Sequence, residues 1–571
     1  MRREIHGVGA SKGLALGRAR VREPHRLDVE ETRIELDQID HERALLREAM
    51  GLARQELNTL RERVRGALAH EVGEFLDLHA MLLDDPELAD GLDELIRTGR
   101  YSAAYALRLQ RDRLISVFDD IDDAYLRSRR EDIDHVIGRV YAALQRKPQA
   151  EVIGLAGDVL ITDAIAPSEL AQLHDEGVVA VVTASGSQLS HSAILARSLH
   201  MPLVVGAHEA LLHVNDGDTL IVDAGTGRVI VNPDPDDLRH FRETEREIDR
   251  ERRVLAKLRS APSRTRDGVD IRLYANAESS ADVAQAHSLG AAGIGLYRTE
   301  FLFLQRGELP SEEEQFLAYR DLVRGMDGRV VTIRTLDLGA DKADSCGLVL
   351  EGEANPALGL RGIRLMLAHV GVFREQLRAI LRASHYGPIR ILLPMISHAR
   401  ELMACRRLID DCQAELRNEG HPLGEHIQLG AMIEVPAAAL ALDTLLPLVD
   451  FCSIGTNDLV QYLLAADRGN DALGSLCSPL HPAVLRVLHQ VIHTCRKAGR
   501  DVAICGELAG DVRYTRLLLA LGLTDFSMHP SSLLEVRRAV RDTELVAATD
   551  LAPALLQCAE AEAIDALLRR L

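Results

Sequence analysis

Residues 427–464 read IQLGAMIEVPAAALALDTLLPLVDFCSIGTNDLVQYLL, and they contain two short apolar runs that each lead into a longer helix-forming stretch. The runs IQLGAMIEV and DFCSIGT have the length of buried strands, and the first ends at Pro436 while the second contains Gly455 near its end. Alanine and leucine, which favour helices, fill the segments that follow. The stretch therefore predicts two consecutive strand-then-helix units of an α/β domain.

The same unit recurs over residues 266–571. Six further strand candidates occur there, IRLYANA, AGIGLYR, VVTIRTLDL, IRILLPMI, DVAICGE and LTDFSM, and helical stretches separate them. Eight strand-then-helix units in a segment of this length predict a (β/α)8 barrel, in which the strands are parallel and the helices surround them.

The chain before the barrel has a different organisation. Residues 1–20 and 148–231 combine β-branched runs with short helical ones, which predicts one small α/β domain. Residues 21–147 contain few Gly or Pro and show helical periodicity, so we expect a helical subdomain inserted into that domain. The highly charged residues 232–265 predict an exposed linker helix. The fold class is thus a multidomain α/β protein.

The first residues contain three glycines at close spacing. Gly7, Gly9 and Gly13 lack the spacing and the preceding strand of a dinucleotide-binding fingerprint. We interpret them as turn glycines, in a segment that reads as a short strand and a turn.

Composition and charge limit the classes of function. The chain has 571 residues with a net charge of −20, and Trp is absent. Such a charge repels nucleic acid and anionic membranes and favours a basic protein partner. The acidic helical subdomain is either a docking face for such a partner or a solvated bundle without that role. Eight cysteines without a CxxC pair predict a reduced cytoplasmic protein without structural zinc. We expect no membrane span and no signal peptide.

Polar residues follow the predicted barrel strands at their carboxyl ends, where reactive groups of such barrels gather. They are Arg298, Arg334, Asp337, Glu434, Asn457, Asp458, Arg468 and Cys505. A single arginine at a strand end is commonly structural, but this many charged groups at one rim indicate a site.

These residue types indicate a particular substrate chemistry. Several arginines that converge on one mouth favour a polyanion, because the guanidinium group binds carboxylate and phosphate at two points. Glu434 and Asp458 would repel that anion unless a cation lies between, so they are candidate Mg²⁺ ligands. Cys505 can give or take one proton. From the residues alone, however, a buried small apolar role for Cys505 is favoured.

Residues 188–199, QLSHSAILARSL, place His191 between two serines at the start of a predicted helix. By itself this histidine is most simply a surface residue. As a neutral imidazole it would also be a competent nucleophile, with a helix N-terminus nearby to stabilise an anion.

Long motifs of this sequence resemble a known family. They are GLYRTEFLFLQRGELPSEEEQF, TIRTLDLGADK, NPALGLRGIRL, AMIEVPAAA, SIGTNDLVQYLLAADRGN and CGELAGD. The chain is similar over essentially its whole length to enzyme I of the bacterial phosphoenolpyruvate:sugar phosphotransferase system. Pyruvate phosphate dikinase and phosphoenolpyruvate synthase share the histidine and barrel modules, but they carry an ATP-grasp module for which no Gly-rich pattern occurs here.

The resemblance implies a role for each matching residue. Phosphoenolpyruvate would be bound by Arg298, Arg334, Arg361, Asn457, Asp458 and Arg468. Glu434 and Asp458 would hold Mg²⁺, and Cys505 would protonate the enolate carbon as pyruvate forms. His191 would accept the phosphoryl group and pass it to a histidine of the carrier protein HPr.

The resemblance also implies partners. HPr would dock on the helical subdomain, and two copies of the chain would pair through the barrel domain. The linker helix would let the histidine domain move between the barrel mouth and HPr.

The surroundings of His191 depart from the family pattern. Ser187 and Leu189 stand where members usually have glycine and threonine, and Ala166 stands where many have threonine. This motivates one alternative, a regulatory protein that senses phosphoenolpyruvate with weak transfer. A second alternative is a nitrogen-branch paralogue that lacks the GAF domain.

Overall fold

The structure is a computed structural model that describes most of the chain. The described residues are 2–22, 29–63, 75–76, 79–119, 124–145, 155–187, 190–199, 201–304, 309–339, 353, 355–467, 473 and 476–569. The chain divides into two compact units, Met1–Arg250 and Glu251–Leu571. Within the described part, no helix combines the length and the apolar character that crossing a bilayer requires.

The first unit is built on one mixed eight-stranded sheet. Its strands are β1 Arg3–His6, β2 Val8–Ser11, β3 Leu14–Val21, β4 Asp158–Thr162, β5 Ala180–Thr183, β6 Leu203–Val205, β7 Thr219–Asp223 and β8 Arg228–Val231. They lie in the order β1-β8-β7-β3-β4-β5-β6-β2. β3 to β6 are parallel neighbours and the other pairs are antiparallel. Strands from both ends of the unit's sequence therefore share one sheet.

The N-terminal segment forms three strands where the sequence predicted one, and the interpretation of its glycines as turn residues was wrong for Gly9. Gly9 lies inside β2, and a Cβ atom at this position would lie 1.9 Å from the carbonyl oxygen of Ala224. Glycine is needed there because another backbone approaches the strand closely, which a short sequence pattern does not reveal.

Between β3 and β4 the chain forms a group of helices that shares a core with the sheet. The helices of the first unit are Ile39–Arg63, Pro86–Arg97, Ala103–Asp119, Ala124–Leu144, Pro167–Asp175, His191–Ser198 and Ala210–His213, and Pro235–Ala256 begins in it. Leu46 and Leu107 of the helical group belong to the same buried cluster as Leu160 and Leu195. The helical insertion and the α/β part therefore pack against each other.

A histidine cluster lies inside the helical group. The ring of His135 on helix Ala124–Leu144 lies 6.0 Å from the ring of His79 and 6.4 Å from that of Phe75, measured between centroids. Burial and, to a smaller extent, the nearby His79 lower the pKa of His135 to about 4. The folded protein therefore keeps His135 neutral.

This lowered pKa predicts a pH-dependent stability. Between about 6.5, the ordinary value, and about 4, the unfolded chain binds a proton that folded His135 does not. The free energy of unfolding should therefore fall by roughly 3 kcal/mol as the pH is lowered through this window, and the stability is fully present above it. Denaturant unfolding from pH 4.5 to 7.5 would measure the effect. His135→Gln should show a shallower dependence, and equal slopes in both proteins would contradict the prediction.

The second unit is a closed barrel of eight parallel strands. They are β9 Arg272–Ala277, β10 Gly293–Tyr297, β11 Val330–Arg334, β12 Ile389–Leu393, β13 Gln428–Ile433, β14 Phe451–Ile454, β15 Asp501–Ile504 and β16 Asp525–Met528. Neighbours in sequence pair in parallel, and β16 pairs with β9 to close the ring. Each of the eight predicted strands contains one of these, so the predicted (β/α)8 barrel is confirmed.

Helices surround this barrel. They are Ser280–Ser288, Glu300–Leu304, Glu312–Gly325, Ile363–Ala368, Val370–Ala383, Ala399–Asn418, Pro436–Leu440, Leu442–Leu445, Thr456–Leu464, Pro482–Lys497, Val512–Ala520, Leu533–Asp542, Leu545–Asp550, Ala552–Gln557 and Ala561–Leu568. The apolar side chains of the barrel strands form two separate layers. On β14, Cys452 and Ile454 belong to the large core shared with the helices, whereas Phe451 belongs to a small separate cluster with Met432 and Cys505. Since side chains alternate along a strand, this small cluster fills the barrel interior.

The chain enters the barrel through a segment held by a buried arginine. Arg537, on helix Leu533–Asp542, donates from Nη1 to the carbonyl oxygens of Leu258 at 2.7 Å, Arg259 at 2.9 Å and Leu289 at 2.9 Å. Only 2% of Arg537 is exposed. The residues that follow helix Pro235–Ala256 are therefore fixed to the barrel.

Candidate active site at the carboxyl end of the barrel

Arg334, the last residue of β11, lies between two carboxylates. Its Nη2 is 3.0 Å from Glu300 Oε1 and its Nη1 is 2.9 Å from Asp337 Oδ2. Its Nε is buried and has no hydrogen-bond partner among the described residues. Burial would lower the pKa of Arg334, but Glu300 and Asp337 outweigh it and hold the pKa above its ordinary value. Arg334 is thus a fixed cation with one donor unused.

Arg361 connects Asp337, which follows β11, to Asp458, which follows β14. Its guanidinium donates to both oxygens of Asp337 at 3.0 and 3.1 Å and to both oxygens of Asp458 at 3.2 and 3.1 Å. Burial would raise the pKa of Asp337, but Arg334 and Arg361 outweigh it and lower the pKa. The structure thus brings Arg334, Arg361 and Asp458 into one chain of alternating charges.

Glu434, directly after β13, lies beside this chain of charges. It is 1% exposed, and its Oε1 accepts the backbone N–H of Met395 at 2.6 Å. Burial raises the pKa of Glu434, and the nearby Asp337 and Asp458 carboxylates raise it further. A Cβ atom at Gly455 would lie 2.6 Å from Glu434 Oε2, so a side chain there would displace the carboxylate.

These surroundings fit a divalent cation. Glu434 is a buried carboxylate whose pKa is raised by burial and by two neighbouring anions, and a cation would relieve both effects. Glu434 and Asp458 supply oxygen donors of the kind that Mg²⁺ prefers. Among the residues placed by the structure, no cluster of three or more metal-ligating side chains occurs. A cation held by these two residues would complete its shell with water and substrate oxygens.

Cys505 lies at the carboxyl end of β15, at the top of the apolar cluster inside the barrel. Its Sγ is 3.6 Å from the carbonyl oxygen of Ile454. Burial raises the pKa of Cys505, and the Glu434 carboxylate raises it further. The thiol is therefore protonated at neutral pH, which makes it a potential proton donor.

Arg298 and Asn457 lie at more exposed positions of the same end. Arg298 follows β10, forms an ion pair with Glu278 and is 39% exposed in its side chain. Asn457 Oδ1 accepts the N–H of Glu507 at 3.1 Å. Arg468, which was also predicted for the site, lies outside the described residues.

The sequence-based reasoning missed two residues that complete the network. Glu300 contacts Arg334, and Tyr462 OH lies 3.2 Å from Arg361 Nη1. A weak signal for Tyr462 was present, because it follows Asp458 by four residues on helix Thr456–Leu464 and shares its face. Glu300 is indistinguishable in sequence from an ordinary acidic residue at a helix start.

His191 belongs to the first unit, where it begins helix His191–Ser198. Ser190 caps this helix, since its Oγ accepts the N–H of Ala193 at 3.2 Å. Ser192 Oγ donates to the carbonyl oxygen of Ile165 at 2.5 Å, next to Ala166, which is buried and provides no side-chain cap for helix Pro167–Asp175. The first turn is thus fixed to the preceding loop.

Three family profiles match the chain in succession. They are "PEP-utilising enzyme, N-terminal" over residues 6–129, "PEP-utilising enzyme, mobile domain" over residues 154–227 and "PEP-utilising enzyme, PEP-binding domain" over residues 252–545. The last of these contains the barrel strands and every described residue of the candidate site. His191 lies within the mobile-domain match.

Full-length relatives share one name, phosphoenolpyruvate-protein phosphotransferase. The protein of Cupriavidus necator is 43% identical, and the match covers 99% of this chain and 99% of that protein. The Haemophilus influenzae protein is 40% identical over 99% of this chain and 98% of its own length, and the Listeria innocua protein is 38% identical over 100% and 99%. The resemblance seen in the sequence motifs is confirmed, and the chain belongs to the family of phosphoenolpyruvate–protein phosphotransferases.

Proposed function

We propose that this protein transfers the phosphoryl group of phosphoenolpyruvate to its own His191 and then to a histidine of an HPr-type carrier, releasing pyruvate as the first step of a sugar phosphotransferase system. The single observation that carries the proposal is the buried arrangement of Arg334 and Arg361 on either side of Asp337. The buried Glu434 carboxylate and the Cys505 thiol at the same end of the barrel favour an enzyme over a protein that only senses the ligand.

The arginines provide the substrate-binding groups. Phosphoenolpyruvate carries a phosphate and a carboxylate, and guanidinium groups bind both in two-point fashion. Arg334 is 11% exposed in its side chain and keeps donor hydrogens that its two carboxylate partners do not take, and Arg298 is 39% exposed in its side chain. Arg361, Asn457, Asp458 and Arg468 are the further substrate-binding residues of this proposal.

Phosphoryl transfer requires neutralised charge and in-line positioning more than covalent assistance. A Mg²⁺ ion on Glu434 and Asp458 would supply neutralisation of the phosphate oxygens when bound. The His191 imidazole attacks phosphorus, an N–P bond forms, and the P–O bond to the enolate breaks with its electron pair on the enolate. The enolate carbon then takes the proton of Cys505, which gives pyruvate, and the thiolate regains a proton from solvent.

The start of helix His191–Ser198 suits a phosphorylated residue. Ser190 occupies the N–H of Ala193, which leaves the preceding N–H groups of the first helical turn for an anion. The positive end of the helix dipole also stabilises the phosphate.

The proposal includes macromolecular partners and a location. The acidic helical subdomain, residues 21–147, would dock a basic carrier of the HPr type, and two copies of the chain would pair through the barrel domain, residues 266–571. Nucleic acid and membrane are not expected partners, given the net charge of −20, and the protein would work in the cytoplasm.

A labelling experiment tests the proposed function. Purified protein incubated with phosphate-labelled phosphoenolpyruvate and Mg²⁺ should acquire an acid-labile label, and an HPr-type carrier from the same organism should then discharge it. Chelation of divalent cations should suppress the first step. Saturable binding without any transferred label would instead support the sensing alternative.

Replacing Cys505 with alanine should slow pyruvate formation by about 100-fold or more, because a positioned general acid contributes roughly that much. Release of pyruvate, coupled to a lactate dehydrogenase reaction, measures the rate. Cys405→Ala is the matched control, since Cys405 is equally buried but lies on the outer helix Ala399–Asn418. Equal rates for both variants would remove Cys505 from the mechanism.

A further inference from the structure

The turn that follows β11 is held from outside by side chains of neighbouring elements. Thr299 Oγ1 donates to the carbonyl oxygen of Arg334 at 3.0 Å. Gln376 Oε1 accepts the N–H of Leu336 at 3.0 Å. Thr299 and Gln376 are both fully buried, so the backbone that carries Arg334 is fixed at two points.

Glu300 makes a third contact with this turn, and that contact differs in kind. Its Oε1 accepts the N–H of Asp337 at 2.9 Å and also lies 3.0 Å from Arg334 Nη2. One carboxylate oxygen of Glu300 thus contacts both the backbone of the turn and the guanidinium group of Arg334. Among the described contacts of the three holding residues, only that of Glu300 reaches the guanidinium.

A contribution to folding stability does not account for the contact between Glu300 and Arg334. Glu300 is 9% exposed, its Oε2 has no hydrogen-bond partner among the described residues, and burial raises the pKa of its carboxyl. Buried ion pairs of this kind are commonly no more stabilising than an apolar replacement. Buried polar atoms without partners are rare and require an explanation. A role in orienting Arg334 provides one.

We propose that Glu300 is a positioning residue, which holds the Arg334 guanidinium in the orientation that binds the substrate phosphoryl group. Asp337 holds Nη1 and Glu300 holds Nη2, so two anchors define the plane of the guanidinium. The side chain is 11% exposed, and donor hydrogens that the two carboxylates do not take are left to the ligand. With Glu300 removed, the guanidinium keeps one anchor and can turn about it. This inference rests on the proposed function.

Two substitutions distinguish the effect of the length of the Glu300 side chain from the effect of its charge. Glu300→Gln keeps the length and an acceptor oxygen but loses the charge, whereas Glu300→Asp keeps the charge but is one methylene too short to meet both partners. We expect Glu300→Asp to raise the KM for phosphoenolpyruvate at least tenfold, since small misplacements of binding groups are costly. We expect Glu300→Gln to stay within about threefold of wild type, because its amide oxygen can accept both hydrogen bonds.

Thr299→Val is the matched control. It removes a contact to the same turn but none to the guanidinium, so its KM should stay near that of wild type even if its melting temperature falls. If Thr299→Val raises KM as much as Glu300→Asp does, or if Glu300→Gln is more impaired than Glu300→Asp, the proposal is wrong.

Folding is monitored by thermal unfolding of each variant. Should Glu300→Asp not fold, Glu300→Ala takes its place, and an increase in KM of less than tenfold would overturn the proposal. The wild-type protein is assayed alongside. Failure of wild type to transfer phosphate would contradict the proposed function, whereas normal wild-type transfer with unchanged variants would contradict only the role of Glu300.

Discussion

Replacing His191 with alanine is expected to reduce incorporation of label from phosphoenolpyruvate to background. Without the imidazole, no described group of the site can act as a nitrogen nucleophile toward phosphorus, so the first half-reaction has no acceptor. Loss of a nucleophile lowers turnover by roughly a thousandfold or more, beyond the range of a labelling assay. Electrophoresis of the labelled protein after acid and alkaline treatment measures the result, since phosphohistidine survives base and not acid.

Two measurements test whether the loss of label is due specifically to the missing His191 imidazole. His213→Ala removes an exposed histidine from the same unit and should leave labelling unchanged. Binding of phosphoenolpyruvate to His191→Ala, measured by calorimetry, should equal that of wild type, because the binding residues belong to the unit Glu251–Leu571. Persistent label on His191→Ala would show that another residue accepts the phosphoryl group.

The barrel was predictable because its signals are local. Each strand is a short apolar run of about five residues, and each is followed by polar residues at the end where such barrels place their sites. Arg334 and Glu434 were singled out as candidates on this ground, whereas for Cys505 the residues alone favoured a buried apolar role. The N-terminal strands were less predictable, because Gly9 is required by the backbone of Ala224, far away in sequence.

The pairing of the site residues could not be predicted from local signals. Arg361 bonds Asp458, and 97 residues separate them. Sequence reasoning placed Asp458 near the site by its position after a predicted strand and Arg361 through the family resemblance, but it gave no indication that Arg361 joins Asp458 to Asp337. Only the closed ring of strands brings β11 and β14 to one mouth.

The role of Glu300 could not be predicted from the sequence for a different reason. An acidic residue at a helix start is common because it stabilises the N-terminus, so its type carries no information about function. Its role follows from burial and from the unpaired oxygen that burial produces, and both depend on tertiary structure. Residues that act through another residue are therefore the ones that sequence reasoning most readily misses.

Arg334→Lys should lower kcat/KM for phosphoenolpyruvate by about 100- to 1000-fold, the cost of losing a donor that stabilises a transition state. Lysine keeps the positive charge between Glu300 and Asp337, so the fold should survive. It cannot, however, form two fixed carboxylate contacts and still offer a directed third donor, as the guanidinium does. Steady-state kinetics of pyruvate release measures the loss.

Arg329→Lys is the control at the other end of the strand, because Arg329 directly precedes β11 and donates to the carbonyl oxygen of Ala291 at 2.8 Å. Its kinetics should match wild type. Arg334→Leu separates charge from geometry further: it would leave the buried Glu300 carboxylate without a cation and Asp337 with Arg361 alone, and it would lower the free energy of unfolding by about 3–5 kcal/mol. If Arg334→Lys retained wild-type kcat/KM, charge alone would suffice at this position, and the oriented guanidinium would have no part in the reaction.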